Sequence, residues 1–416
     1  MALRLCAGVC LLAAAFGVAA MDDTLTLKGA IARAVADNPE LAVGVFRRRA
    51  ADARIESAGQ PPPTRLGLEL ENFAGSGETR GLRAADATLL LSRTLERGGK
   101  AARREDLALS RRALVATEAD IRRLDLLARV ARRFVHVARD QALLTLAEEA
   151  VALAEKARMQ AARRVDAGAA PASEAARADI ALADAGLGLE HAEHELKATR
   201  VGLSSLWGER DPGFDRVAAE LFELPAADTI QTVMARLERN PQQRRLADEA
   251  RVAAARQRLA AARRATDITV SGGMRWREST DDSAFVLGVS IPLASRSRAQ
   301  PDLAASRAEH AARERELEAA ERELYAVVYA RYQEMHHART EVETLRGRIL
   351  PRAREALADI RAGYGRGRYS YLDLAEAQRS LIRQERRAIH AAASYHRHLI
   401  EIERLTGTPA ATPDED

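Results

Sequence analysis

The residues best spaced for chemistry sit on either side of a glycine-rich break, RAGYGRGRYSYLDLAEAQR, residues 361–379. Asp373 and Glu376 stand three apart, so a helix places both carboxylates on one face. Repeated by symmetry around an axis, such a pair makes rings of negative charge that attract cations and set a closed state. The plainer reading is that acids in a first turn complement a helix N-terminus. A second break, RVDAGAAPASEAARADIALADA, residues 164–185, puts Gly168 and Glu174 where the first has Gly367 and Asp373.

Other chemistries fit less well. His191 and His194 lie one turn apart among Glu190, Glu193 and Glu195, a spacing able to hold a divalent ion. No third ligand is fixed, and surface histidines on a helix are the commoner case, so no metal site and no cofactor is expected. Gly363, Gly365 and Gly367 follow a helix rather than a strand and lack the Lys-Ser/Thr ending of a phosphate loop. No Ser-His-Asp or Cys-His constellation can be assembled, which argues against an enzyme. The 64 basic and 60 acidic residues nearly cancel. Clusters such as Arg47-Arg48-Arg49 and Arg132-Arg133 therefore read as solvated faces balanced by nearby acids, and no nucleic-acid partner is expected.

Each break demands helices on both sides. The three glycines can adopt the left-handed backbone that ends a helix, and Ser370 with Asp373 has capping-box spacing for the next. Two antiparallel helices then meet at a tip. The rest of the chain repeats with the tips: Asn38-Pro39-Glu40 recurs as Asn240-Pro241-Gln242 and Leu95 as Leu293, about 200 residues on. With 30% charged and 4% aromatic residues, long helices are the expected material. The fold class is mainly α with a small β part, in two tandem repeats of helix, strand pair, long helix, tip and short helix. The first repeat spans 21–207, with strands at about 64–72 and 87–95 and its tip at about 166–171. A linker or equatorial segment, 208–228, precedes the second repeat, 229–407, with strands at about 268–277 and 285–293 and its tip at about 363–370. Residues 408–416 read as a disordered tail. The stretch from Thr229 to Ala265 is read as helical, and the two long helices, Lys100 to about Val165 and Asp302 to Ala362, are read as unbroken.

The strands decide the environment. Leu66, Leu68 and Leu70 alternate with Gly67, Glu69 and Glu71; Phe285, Leu287 and Val289 alternate with polar or small residues. Four such strands suit an outer bilayer, yet four cannot close a barrel, and open sheet edges are not tolerated in hydrocarbon. Several chains must share one barrel. The leucines and Phe285 then face lipid, Glu69, Glu71, Arg275 and Arg277 face a water-filled lumen, and Trp276 sits near an interface. Residues 1–20 have the layout of a secretory signal peptide and contain both cysteines, Cys6 and Cys10, so the mature chain has no thiol.

The two-fold repeat, the strand pairs leading into long helices, and tips of the form Gly-x-x-x-x-x-Asp (Gly367 to Asp373) together resemble the TolC family of outer-membrane efflux proteins. The runs ELENFAGSGE, Glu69 to Glu78, and LSRTLERGGKAARR, Leu91 to Arg104, are similar to its heavy-metal (cobalt-zinc-cadmium) branch. The resemblance implies a homotrimer with a shared twelve-stranded barrel and an α-helical tunnel across the periplasm, docked to a periplasmic adaptor and an inner-membrane RND pump. It places Tyr364, Asp373 and Glu376 at a periplasmic gate. Tyr369 stands where some members carry arginine, and Pro171-Ala172-Ser173-Glu174 replaces the usual apolar turn of the first tip. Competing readings are a soluble periplasmic helical-hairpin adaptor, which needs no strand pairs, and a metal-buffering protein.

Overall fold

The computed structural model describes residues 24–407; the leader, 1–20, and the tail, 408–416, lie outside them. The first half runs β1 (Thr24–Leu25), α1 (Leu27–Asp37), α2 (Pro39–Gly59), β2 (Arg65–Glu71), β3 (Asp86–Leu95), α3 (Lys100–Asp166) and α4 (Ala172–Ser204). The second runs β4 (Arg216–Val217), α5 (Ile230–Ala235), α6 (Pro241–Ala262), β5 (Ile268–Arg277), β6 (Asp282–Ser290), α7 (Ser295–Arg298), α8 (Gln300–Thr344), α9 (Leu350–Gly365) and α10 (Tyr371–Thr406). The 67 residues of α3 make a rod roughly 100 Å long.

Short helices stack end to end beside the long ones, and the repeated Asn-Pro pair makes the splice. Asn38 accepts the Glu40 backbone N–H at 2.9 Å while its Nδ2 donates to the Leu206 carbonyl at 2.7 Å. Asn240 accepts from the Gln243 N–H at 2.9 Å and donates to the Leu405 carbonyl at 2.6 Å. One amide thus caps the starting helix and satisfies the end of the one below, while proline fills a first-turn position that needs no N–H. So α4 continues into α2 along one flank of α3, and α10 continues into α6 between α3 and α8.

Two helical expectations are corrected. The stretch from Thr229 to Ala265 is not one helix: a 3-10 turn, Arg236–Arg239, precedes the Asn240 splice. The second long helix is interrupted by a π-turn, Leu345–Ile349. Pro351 supplies no N–H and would crowd the carbonyl four residues back, and the wider turn takes up that misfit.

β2, β3, β5 and β6 form one antiparallel sheet in that order. Leu68, Leu89, Met274 and Phe285 stand in one cross-strand row, and Leu66, Leu91 and Leu287 in another on the same face. Phe285 is 89% and Leu287 85% exposed; Arg93, beside Val270, is the charged exception on this face. The opposite face carries the rows Glu69, Thr88, Arg275, Ala284 and Glu71, Asp86, Arg277, Asp282. β6, Asp282–Ser290, begins three residues before the expected 285 because pairing with β5 starts at Arg277 and Asp282, and ends three before the expected 293, ahead of Pro292, which cannot donate to the ladder. Among the described residues the outer edges of β2 and β6 are unpaired.

The segment read as a linker is structural. β4 pairs in parallel with β1, and Phe214, Val217 and Leu221 join Trp207, Leu126, Val130 and Phe134 in the largest core. It lies over one side of the helical layer at mid-length. Among the described residues no helix is long and apolar enough to cross a membrane.

Candidate functional site

The two tips are built differently and meet side by side. At the second, α9 ends when Gly367 turns left-handed (φ 76°) and the Arg368 N–H donates to the Gly363 carbonyl at 2.9 Å. Gly363 and Gly365, expected to share that role, remain helical. Gly363 is glycine for another reason: the Tyr369 ring lies against it, and a Cβ would sit 2.3 Å from Cδ2. Ser370 and Asp373 form the capping box that starts α10, with Ser370 Oγ 2.7 Å from Asp373 Oδ2. At the first tip Gly168 is left-handed (φ 68°), the Ala169 N–H donates to the Arg164 carbonyl, and Pro171 precedes α4 with Glu174 in its first turn.

Tyr364 joins the tips. It is fully buried, and its hydroxyl donates to Glu174 Oε2 at 3.1 Å. Arg164 stacks over the Tyr364 ring at 4.5 Å and its Nη1 donates to the Tyr364 carbonyl at 2.6 Å. Tyr371 packs edge-on at 6.3 Å. Burial and the Glu174 carboxylate push the Tyr364 phenol up to about 12, so it stays a donor at any physiological pH. The structure therefore brings together Tyr364, Glu174 and both tip glycines, and adds Arg164 and Tyr371, which sequence reasoning missed. A signal existed for Arg164, four residues before Gly168 as Gly363 is four before Gly367, but its partner lies in the other repeat.

Asp373 and Glu376 lie on the exposed flank of the same tip. The Ser370 hydroxyl and N–H hold the Asp373 carboxyl below the usual range. Arg379 and Arg383 do the same for Glu376, at 3.1 Å each. Within one chain both acids are thus ionised, one as a cap and the other in ion pairs.

On the polar face of the sheet, Arg275 reaches Glu71 at 3.1 Å and Thr88 at 3.0 Å, and Arg277 lies 3.5 Å from Asp86. Glu69 stands one row nearer the helices on that face. His191 and His194 are exposed on α4, and no group of three candidate metal ligands gathers among the described residues.

The family described as "Outer membrane efflux protein" matches twice, over residues 30–209 and 232–408. The cobalt-zinc-cadmium resistance protein CzcC of Cupriavidus metallidurans is 27% identical over 394 residues, 92% of this chain and 90% of that one. Among solved structures, the CusC channel superposes with a TM-score of 0.77 at 16% identity, covering 92% of each chain. Vibrio cholerae VceC gives 0.74 at 17% identity, over 92% of this chain and 96% of that one. The doubled match, falling on the two halves that share the Asn-Pro splice and the glycine tip, makes the chain a member of the outer membrane efflux protein family.

Proposed function

We propose that this outer-membrane efflux protein works as a passive homotrimeric exit duct for heavy-metal cations, fed by an inner-membrane RND pump through a periplasmic adaptor. The observation that carries the duct is the sheet: an apolar face bared to the outside, a charged face opposite, and two unpaired edges. Apolar exposure on this scale needs lipid, and free edges in lipid need partners. Three chains supply twelve strands and close the edge of β6 on the β2 of a neighbour. Glu69, Glu71, Arg275 and Arg277 then line the lumen. The metal cargo rests on the likeness to CzcC, whose name speaks of cobalt, zinc and cadmium.

The tips form the gate in this reading. Opening separates α9 and α10 from the first tip, and the Tyr364–Glu174 bond with its Arg164 clamp must break. Asp373 and Glu376 present their charge toward the axis beside it. An adaptor opens the duct by favouring the parted arrangement. The duct is tested by fractionating cells and sizing the detergent-extracted protein by light scattering with the detergent contribution subtracted. The expected result is a trimer in the outer membrane; a water-soluble monomer would overturn the duct and favour a periplasmic adaptor. For the cargo, deleting the gene should sensitise cells to cobalt, zinc or cadmium, and unchanged tolerance of all three would remove the metal assignment.

A further inference from the structure

Midway along the rod, α3, α10 and α8 enclose a hollow of about 590 Å³ whose wall is dominated by guanidinium groups. Arg129 and Arg132 come from α3, Arg331 from α8, and Arg397 and Arg404 from α10. Two carboxylates share the wall. Asp125 holds Arg404 at 2.9 Å, while Glu401 holds Arg404 at 2.7 Å and Arg132 at 3.0 Å. Arg129 leans on Glu40 of α2, leaving its own Nε buried without an acceptor. Arg397 meets only the Ser394 hydroxyl, and among the described residues neither it nor Arg331 has a carboxylate partner. Burial, with Arg331 and Arg397, lowers the His398 pKa from its ordinary value against the opposing pull of Glu334 and Glu401.

The direction of this wall follows from helix geometry. On α10 the covering segment is met by Tyr395 and His396, whose side chains reach the carbonyls of Pro225 and Leu221. At about 100° per residue, Arg397 and Arg404 point roughly 100° and 80° around the helix from His396, and Glu401 about 140°. On α3, Phe134 and Gln141 face the covering segment. Arg132 and Arg129 lie roughly 160° and 140° away from Phe134. A layer that covers a tube of helices must sit outside it, or it would plug the bore. The hollow therefore opens inward, and α10, flanked on both sides by helices of its own chain, places it away from the seams between subunits.

We propose that the tunnel carries, at mid-height, a belt that binds small multivalent anions such as phosphates and polycarboxylates, with Arg331 and Arg397 as the principal ligands and Arg129, Arg132 and Arg404 completing the wall. This rests on the trimeric duct reading, which repeats the site three times around the bore. Unpaired guanidiniums in a recess are the donors suited to such ligands, since each presents a fork of N–H groups and keeps its charge. An anion held there offsets the positive wall, so that a metal cation passes a neutralised ring.

The probe is tripolyphosphate, added to purified trimers in planar bilayers and, separately, titrated calorimetrically onto trimers in detergent. Block of the current and saturable binding are expected, both weakened at least about tenfold by R331Q/R397Q. Thermal melting of the variant checks that it is folded; both side chains are exposed, and R331K/R397K should restore most of the binding. A conducting trimer unaffected by tripolyphosphate, or a variant blocked as strongly as the parent, would overturn the belt and leave the duct standing. Absence of calorimetric binding, or binding that R331Q/R397Q leaves unchanged, overturns the belt whether or not the trimer conducts, whereas the duct itself stands or falls on the fractionation and sizing above.

Discussion

Replacing Tyr364 with phenylalanine removes one oxygen from the joint between the tips and should shift the duct toward opening. The side chain is fully buried and its hydroxyl spends its hydrogen bond on the Glu174 carboxylate. A hydrogen bond to a charged acceptor contributes about 1.5–3 kcal/mol. Glu174 is half-buried and regains water when the partner is lost, so the lower end applies. About 1.5 kcal/mol per subunit is roughly a tenfold change in the closed-to-open ratio, and three subunits opening together add their shares. The ring remains, so Arg164 keeps its stacking contact and its bond to the main chain.

The assay is single-channel recording on trimers in a planar bilayer, comparing Y364F, E174Q and the double variant. Each single change should raise the open fraction, and the double should add little beyond either, because both remove the same bond. R164Q should raise it further than Y364F, since two contacts go at once. An open fraction in Y364F equal to that of the parent would refute the idea that this bond holds the duct shut. Full additivity in the double variant would show that the two residues act apart.

Three further outcomes follow from the same structure. N240A removes both the cap of α6 and the donor to the Leu405 carbonyl in a fully buried splice, so thermal melting should show a loss of about 2–3 kcal/mol, above a surface cap. G273A should give a chain that is made but does not assemble in the outer membrane, since a Cβ there would lie 2.0 Å from the Leu89 carbonyl in the β3–β5 ladder. Normal trimer yield would mean the strands can part without cost. Glu403 is pushed up to about 7 by burial, against the pull of Arg236. A folded-state value above the unfolded one gives stability that is full below about 4.5 and lost as pH rises through about 7. Melting curves taken across that window should flatten in E403Q.

How much of this was legible beforehand depended on the reach of each interaction. The capping box of Ser370 and Asp373 spans three residues, and the strand alternation spans two, so both could be read directly. Gly367 was legible as a turn, but the near neighbours Gly363 and Gly365 were not separable from it, because what fixes Gly363 is a ring arriving from Tyr369. Pro351 stands inside a long helical pattern, where a proline reads as tolerated, and only the π-turn beside it shows how the helix accommodates it. The Asn-Pro pair stands out in the sequence as a repeat. Its purpose is set by carbonyls 168 and 165 residues away, and no local pattern announces those.

Arg132 and Arg133 put the same point most sharply. Read as a pair, they are a solvated basic face. In the fold Arg132 turns inward to Glu401, while Arg133 turns back to the Gly202 carbonyl of α4. Adjacent residues on a helix diverge by about 100°, and in a tube one layer thick that angle separates the bore from the wall's neighbours. The charge balance that argues against a nucleic-acid partner holds for the chain as a whole and says nothing about either side of the tube. Acids and bases can cancel overall while being sorted between inside and outside, and a conduit is governed by the inside alone. For a protein of this architecture, the face each arginine takes on its helix carries more information about cargo than its net charge does.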